Sequence, residues 1–280
     1  MGRKAAITLP VVAALIAGCG SSGASRPDPV VRAAYVTAGV PGYRIAAQMN
    51  VDSPLGSVAI SMNGVYDRLN RRGQISAAES FAGKKINLTE VFSGLTFYMP
   101  TSAIPQLSKV AGGKPWLKFD MSRMLGAMGL SSLPTGTDPS QYVDYLRAVH
   151  ASPKRIGSAR VRGVATTHYR ATIDLSRYAD LVPSAQRAAA ERGISTLERA
   201  LGAHTLPVDA WIDHGNLLRR LAFRLPECVD NVRLSTSMTM DLYDYGTQKP
   251  ASLPAAADAY DITPLLSSTL SAIHFGCPSG

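Results

Sequence analysis

In the stretch VRLSTSMTMDLYDYG, residues 232–246, Val232, Leu234, Met238, Met240 and Leu242 alternate with Arg233, Ser235, Ser237, Thr239 and Asp241. Thr236 alone interrupts the apolar set. A period of two predicts a strand with one greasy face and one wet face. The same period recurs upstream. In GYRIAAQMNVDS, Tyr43, Ile45, Ala47, Met49 and Val51 fall on one side and Arg44, Gln48, Asn50 and Asp52 on the other. GSVAISMNGVYD repeats it with Val58, Ile60 and Met62, and Asn63-Gly64 is a candidate turn or bulge there. KKINLTEVFSGLTFYMP adds strand material with Leu95, Phe97 and Met99 on one face, and KPWLKFDM reads as a short strand after a Gly-Gly turn.

Helical spacing comes only in single segments. DPSQYVDYLRAV offers Asp138 as N-cap, Pro139 at the first helical position, and Tyr142, Tyr145, Leu146 and Val149 at helical intervals. The Ala-rich PSAQRAAAERGISTLERAL reads as helix, with Gly193 expected to break it in two. MSRMLGAMGLSSLPTGT is expected to be mobile or loosely helical. RIGSARVRGVATTHYRATIDLSRY predicts a hairpin through Gly163, and LPVDAWIDHGNLLRRLAFRLP a second one through Asp213-His214-Gly215-Asn216. Strands dominate, and no βαβ rhythm appears. The expected fold class is therefore α+β: a large antiparallel sheet of about eight to eleven strands with helices on one face. A sheet of that size must curl, which gives it a concave side.

The N-terminus changes the picture. Arg3 and Lys4 precede an apolar run from Ala5 to Gly18, too short for a comfortable membrane span and suited to a signal-peptide core. The tetrad IAGC, ending at Cys19, looks like the lipobox of bacterial lipoproteins, in which the cysteine is acylated and becomes the first residue. Two or more acyl chains make a stable anchor, at roughly 0.8 kcal/mol per buried CH₂. GSSGASRPDP then reads as a tether. The expected organisation is a signal peptide over 1–18, a lipidated Cys19 with a flexible tether over 19–38, and a single domain over 39–280 that includes the C-terminal tail. The protein would sit on the outer face of a membrane, held by acylated Cys19. Outside the cytoplasm Cys228 and Cys277 are expected to pair, closing a loop for roughly 4 kcal/mol at most, with two independent buried thiols as the alternative.

Lys and Arg number 29 against 20 Asp and Glu in a chain of 280 residues. The excess favours anionic surfaces. No long basic helix or stacked aromatic platform accompanies it, so nucleic acid is not expected as a partner. Neither Cys228 nor Cys277 has a ligand-spaced neighbour, so no metal and no cofactor are expected.

Four segments together, KPWLKFDM (114–121), VRGVATTHYRATIDL (161–175), LPVDAWIDHGNLLRRL (206–221) and STSMTMDLYDYG (235–246), resemble the LolA-like lipoproteins of actinobacteria, the group containing LppX and LprG. The resemblance spans most of residues 40–250. It implies a half-open β-barrel whose concave face is closed by helices over a hydrophobic cavity that takes lipid or lipoglycan. On that basis the expected lining is Val58, Ile60, Met62, Leu95, Phe97, Met99, Ile173, Leu234, Met238 and Met240. The methionines suit a pocket that adapts to chains of varied shape. The tail from Pro250 onward carries no signature of this group.

No catalytic motif is present: no G-x-S-x-G, no H-E-x-x-H, no P-loop. The histidines His150, His168, His204, His214 and His274 are scattered, and His168 is expected on a wet strand face with Arg170, Thr172 and Asp174. The sequence therefore predicts a lipid-binding carrier or presenter in the cell envelope rather than an enzyme. The alternative is a sensor or regulator of the same fold that binds an envelope protein.

Overall fold

The computed structural model describes residues 28–54, 56–81, 84–127, 143–229, 232–249 and 251–270. Helix α1 (Pro29–Ala38) comes first. The Asp28 carboxylate accepts from the Val30 and Val31 amides at 2.8 and 3.2 Å, and Pro29 supplies a preset φ at the first turn. Val30, Ala33, Ala34 and Thr37, one face at helical spacing, are buried in the core. The tether expected over 19–38 therefore does not extend through 29–38. A capped helix with a buried apolar stripe replaces its last ten residues. The hydroxyl of Thr37 accepts from the Leu218 amide at 2.9 Å and fixes the helix to the sheet.

Strands β1 (Gly42–Ser53), β2 (Gly56–Asp67), β3 (Arg72–Phe81), β4 (Lys84–Ser93), β5 (Thr96–Pro100) and β6 (Trp116–Asp120) follow, then helix α2 (Met121–Ala127). The hairpin β7 (Val149–Val161) and β8 (Val164–Asp174) leads into α3 (Tyr178–Leu181) and α4 (Ser184–Leu201). Strands β9 (Thr205–Asp213), β10 (Leu218–Val229), β11 (Val232–Tyr243) and β12 (Ala259–Asp261) and helix α5 (Thr263–Leu270) complete the order. All the strands join one 12-stranded sheet in the order β12-β6-β5-β4-β3-β2-β1-β11-β10-β9-β8-β7. It is antiparallel throughout except where β12 runs parallel to β6. The sheet is curved and does not close, and the helices pack on its inner face. The topology is an α+β fold of the expected class, one strand longer than expected.

Two glycine expectations are corrected. Gly193 does not divide α4, which runs unbroken for 18 residues and ends at Gly202 in the left-handed region, φ 63°. One interior glycine costs about 1 kcal/mol, less than the burial of Ala190, Ile194 and Leu201 on the same helix contributes. Asn63-Gly64 neither turns nor bulges. β2 passes straight through it, paired on both sides. Gly64 is needed for close approach: a Cβ there would stand 2.4 Å from the Gln74 carbonyl.

The sheet's edges are protected. β7 carries Pro153, Lys154 and Arg155 and two register shifts against β8, features that oppose further strand pairing. β6 is covered by β12, which Lys118 and Asp261 hold at 3.0 Å.

Candidate functional site

Directly opposed residues of antiparallel neighbours share a face, so the register assigns each apolar side chain. Ala47 stands opposite Met62 on β2 and Met240 on β11, and Met49 opposite Ile60 and Met238. Val51 stands opposite Val58 and Thr236. The same face continues through Leu221 and Phe223 of β10 to Ala210 and Val208, and on to Ala171 and Ile173 of β8. In the other direction it runs from Tyr66 through Gly73 and Phe92 to Phe97 and Phe119, with Met99 beside Leu117. The structure therefore brings Val58, Ile60, Met62, Phe97, Met99, Ile173, Leu234, Met238 and Met240 to one side of the sheet, the inner side. Leu95 departs from this set. It lies in the turn between β4 and β5, where its carbonyl accepts from the Met121 amide at 2.9 Å. Sequence alternation ran through a tight turn that the strand itself does not survive.

Burial along this face is graded. Tyr43, Ile45 and Ala47 at the start of β1 are buried, and Met49 and Val51 are half-buried. β2 runs the other way, from half-buried Val58, Ile60 and Met62 to buried Tyr66. β11 goes from half-buried Leu234 to Met238, Met240 and Leu242, the last at 0% exposure. β10 goes from buried Leu221 to half-buried Phe223 and Leu225. Because the strands alternate in direction, the half-buried positions all fall at one end. The result is an apolar trough, tightly packed at one end and less covered at the other.

A line of aromatic rings makes the tight end. Tyr245, Tyr43, Tyr66, Phe92, Phe97 and Phe119 follow one another with centroid separations of 5.9, 5.6, 6.1, 5.1 and 5.3 Å. Such contacts are favourable beyond simple burial. Gly73 makes the line possible: a Cβ there would lie 2.2 Å from the Phe92 ring. Burial pushes the Tyr245 hydroxyl well above its ordinary range, so it stays neutral and donates to the Leu218 carbonyl. Of these rings the sequence places Tyr43 on the apolar side of its strand and only Phe97 in the lining. The available signal was that Tyr43, Tyr66, Phe92 and Phe119 all occur near strand ends, and sequence alone does not say which ends coincide.

The opposite face is polar. Ser61 donates to Gln48 at 2.8 Å and Ser57 to Asp52 at 2.7 Å. Arg220 and Arg162 hold Asp241 at 2.6 and 3.1 Å. His168 lies there with Arg170, as expected, and meets Asp209 at 2.7 Å while its ring stacks on Trp211 at 4.1 Å. That places the imidazole in an ion-paired surface ladder, across the sheet from the trough. His214 is exposed in its turn, His204 meets Glu198 and His150 meets Arg177. Among the described residues no three His, Cys, Asp or Glu side chains are grouped to hold a metal, and no helix is long and apolar enough to cross a membrane.

Two surface concavities of 510 and 300 Å³ flank the β7–β8 hairpin. The first is lined by residues that include Arg160, Thr167 and His214, the second by residues that include Arg162, Arg219 and Tyr243. None of the ten anticipated lining residues contributes to either. Cys19, Cys277 and His274, and the helix start expected at Asp138, lie outside the described residues. Cys228 is placed by its backbone alone, in β10 opposite Arg233.

No family model matches the sequence. A curated relative, an uncharacterized 31.2 kDa protein encoded in the rplA-rplJ intergenic region of Streptomyces griseus, is 32% identical over 162 residues. The match takes in 55% of this chain, which spans only 50% of that relative's length. Among solved structures, the lipoprotein LppX of Mycobacterium tuberculosis aligns over 81% of this chain and 96% of its own, at 15% identity and a TM-score of 0.45. LprF of Mycobacterium bovis aligns over 81% and 94%, at 16% identity and 0.43. A LolA superfamily protein of Nitrosomonas europaea aligns over 81% and 93%, at 10% identity and 0.30. The chain is similar to LolA-like lipoproteins. This is the resemblance that its own sequence segments carry.

Proposed function

We propose that this protein is a membrane-anchored lipoprotein whose inner trough sequesters the acyl chains of a lipid or lipoglycan, for transport or presentation in the cell envelope. The observation that carries the reading is the graded coverage of the mainly apolar inner face. A face meant only to be core gains nothing from leaving Val51, Val58, Ile60, Leu225 and Leu234 half-buried together at one end. Hydrocarbon chains are the ligand chemistry that such a face can hold, since over its less covered stretch on β1, β2 and β11 it offers packing surface and one hydroxyl, that of Thr236. Met49, Met62 and Met238 lie along it and can repack around chains of different shape.

In this reading residues 1–18 are a removed leader, Cys19 carries the acyl anchor, and the chain from Pro29 onward forms one domain on the outer face of the membrane. Sequestration needs no nucleophile, so the protein acts by binding rather than by turnover. The test is native mass spectrometry of protein purified from its own membrane. Co-purification of lipid of defined mass is expected. Protein that is persistently empty, from cells with intact envelope lipids, overturns the carrier reading.

A further inference from the structure

The described residues leave six large apolar side chains exposed: Tyr35, Val36, Leu69, Val110, Ile156 and Leu265. The first three lie on two segments that are joined at the end of α1. Tyr35 and Val36, 54% and 38% exposed, lie with Arg32 on the outward side of α1. Leu69, at 66% the most exposed of the six, tips the turn between β2 and β3, whose sequence is Arg68-Leu69-Asn70-Arg71-Arg72. The turn is tied to the end of α1: Arg68 donates to the carbonyls of Val40 and Gly39 at 2.6 and 3.5 Å, and its amide to that of Pro41 at 3.0 Å. Arg147, which pairs with Asp144, stacks its guanidinium 4.7 Å from the Tyr35 ring centre.

The acidic groups nearby are already engaged. Asp67 is buried and bonded to Asn70, Asp28 caps α1, and Asp144 pairs with Arg147. Among the described residues Arg32, Arg68, Arg71 and Arg72 form no ion pair. Uncompensated arginines around protruding Leu and Tyr side chains match the chemistry of an anionic lipid surface, with headgroup phosphates for the guanidiniums and the acyl boundary for the apolar tips.

Position points to the same occupant. Asp28, where α1 is capped, is nine residues on from Cys19, a reach of about 30 Å at full extension. An acylated Cys19 thus keeps this patch within reach of the bilayer. We propose that the outward side of α1 and the β2–β3 turn form a second, headgroup-binding contact with anionic lipid that orients the protein on its membrane. The proposal rests on the acyl-anchor reading above. The turn follows Asp67, which pairs with Gly42 at the packed end of the trough, whereas the less covered end lies at Val51 and Val58. Nine residues of strand, about 30 Å, separate the two. Docking by this patch therefore turns the less covered end of the trough away from the anchoring membrane, toward whatever lies further out.

The test uses the full acylated protein in vesicles of phosphatidylcholine, and in vesicles of equal phosphatidylcholine and phosphatidylglycerol. Amide exchange over residues 68–72 is compared with that of the Leu69→Ser/Arg71→Gly double variant. Arg71 has φ 51°, which glycine adopts without strain, so this variant is expected to fold. Exchange in the turn should slow several-fold on the anionic vesicles only, since each arginine near such a surface contributes roughly fivefold in affinity. The slowing should vanish in the variant. Equal exchange on both vesicle types, or slowing that persists in the variant, overturns the proposal. If Cys19 carries no acyl mass and the protein washes off phosphatidylcholine, the anchor reading fails instead. Binding to the anionic vesicles that the double variant loses would then still uphold the patch, and its absence would overturn it.

Discussion

A charge placed at the two ends of the trough should have opposite consequences. Met240 and Val58 lie on the same face, but Met240 is 2% exposed in the packed part and Val58 is half-buried at the other end. Met240→Asp forfeits roughly 1.5–3 kcal/mol of side-chain burial and leaves a carboxylate between Ala47 and Leu221, its apolar cross-strand neighbours. An uncompensated buried charge costs several kcal/mol more. The sum is comparable to the whole stability of an ordinary domain, about 5–15 kcal/mol, so this variant should fail to fold. Val58→Asp removes a side chain that is only partly covered, and its carboxylate can remain hydrated. The loss should be about 1 kcal/mol, a fall in Tm of roughly 2–4 °C. Yet a charge there sits where acyl chains would lie. Denaturant unfolding followed by native mass spectrometry of the folded variant reads both effects. Val58→Asp should be folded and empty. Unfolding as severe as that of Met240→Asp would mean that this end is solid core. A folded Val58→Asp protein that loads lipid normally would mean that the ligand lies elsewhere.

Gly73→Ala should destabilise by about 1–3 kcal/mol in denaturant unfolding, because the new methyl lands 2.2 Å from the Phe92 ring and 2.9 Å from the Val65 carbonyl. Glycine-to-alanine changes without such a clash usually stabilise, so a stabilised variant would show that the aromatic line does not need this opening. Acid should release β12. Burial alone would raise the Asp261 carboxyl, but hydrogen bonds from Thr263 and the Lys118 ammonium hold it below its ordinary value. A depressed carboxylate contributes fully above about pH 4, its unfolded range, and loses that contribution as pH falls through the lower folded value. The protection of amides 259–263, their exchange rates relative to the intrinsic rate at each pH, should therefore fall at acid pH in the wild type. In Asp261→Asn the protection should already be low at neutral pH, and a wild-type protection that does not change with pH would contradict this.

The parts of the fold that were legible in the sequence are those governed by local alternation. Both faces of β1, β2 and β11 can be read directly because side-chain direction has a period of two, and one buried face forces that period into the sequence. The same rule fails at Leu95, where the chain turns, and helix α1 was obscured because a short Pro- and Ala-containing segment after a Gly/Ser-rich run looks like linker. Its membership in the core shows only when Thr37 meets Leu218, a contact between residues far apart in the chain. Gly64 carries the same lesson: it reads as a turn or bulge, yet it admits the Gln74 carbonyl in mid-strand.

By itself, then, the sequence determined a large antiparallel sheet with one apolar side and most of the strand residues on that side, and it raised the expectation of a lipid-anchored leader. Only the tertiary structure decided which stretches of the apolar side are sealed by aromatic rings and helices and which stay half-buried, and which exposed arginines gather beside Leu69 and Tyr35. The physical reason is range. Period and capping are set by neighbours along the chain, whereas coverage and clustering depend on strand register and helix docking between residues tens to hundreds of positions apart.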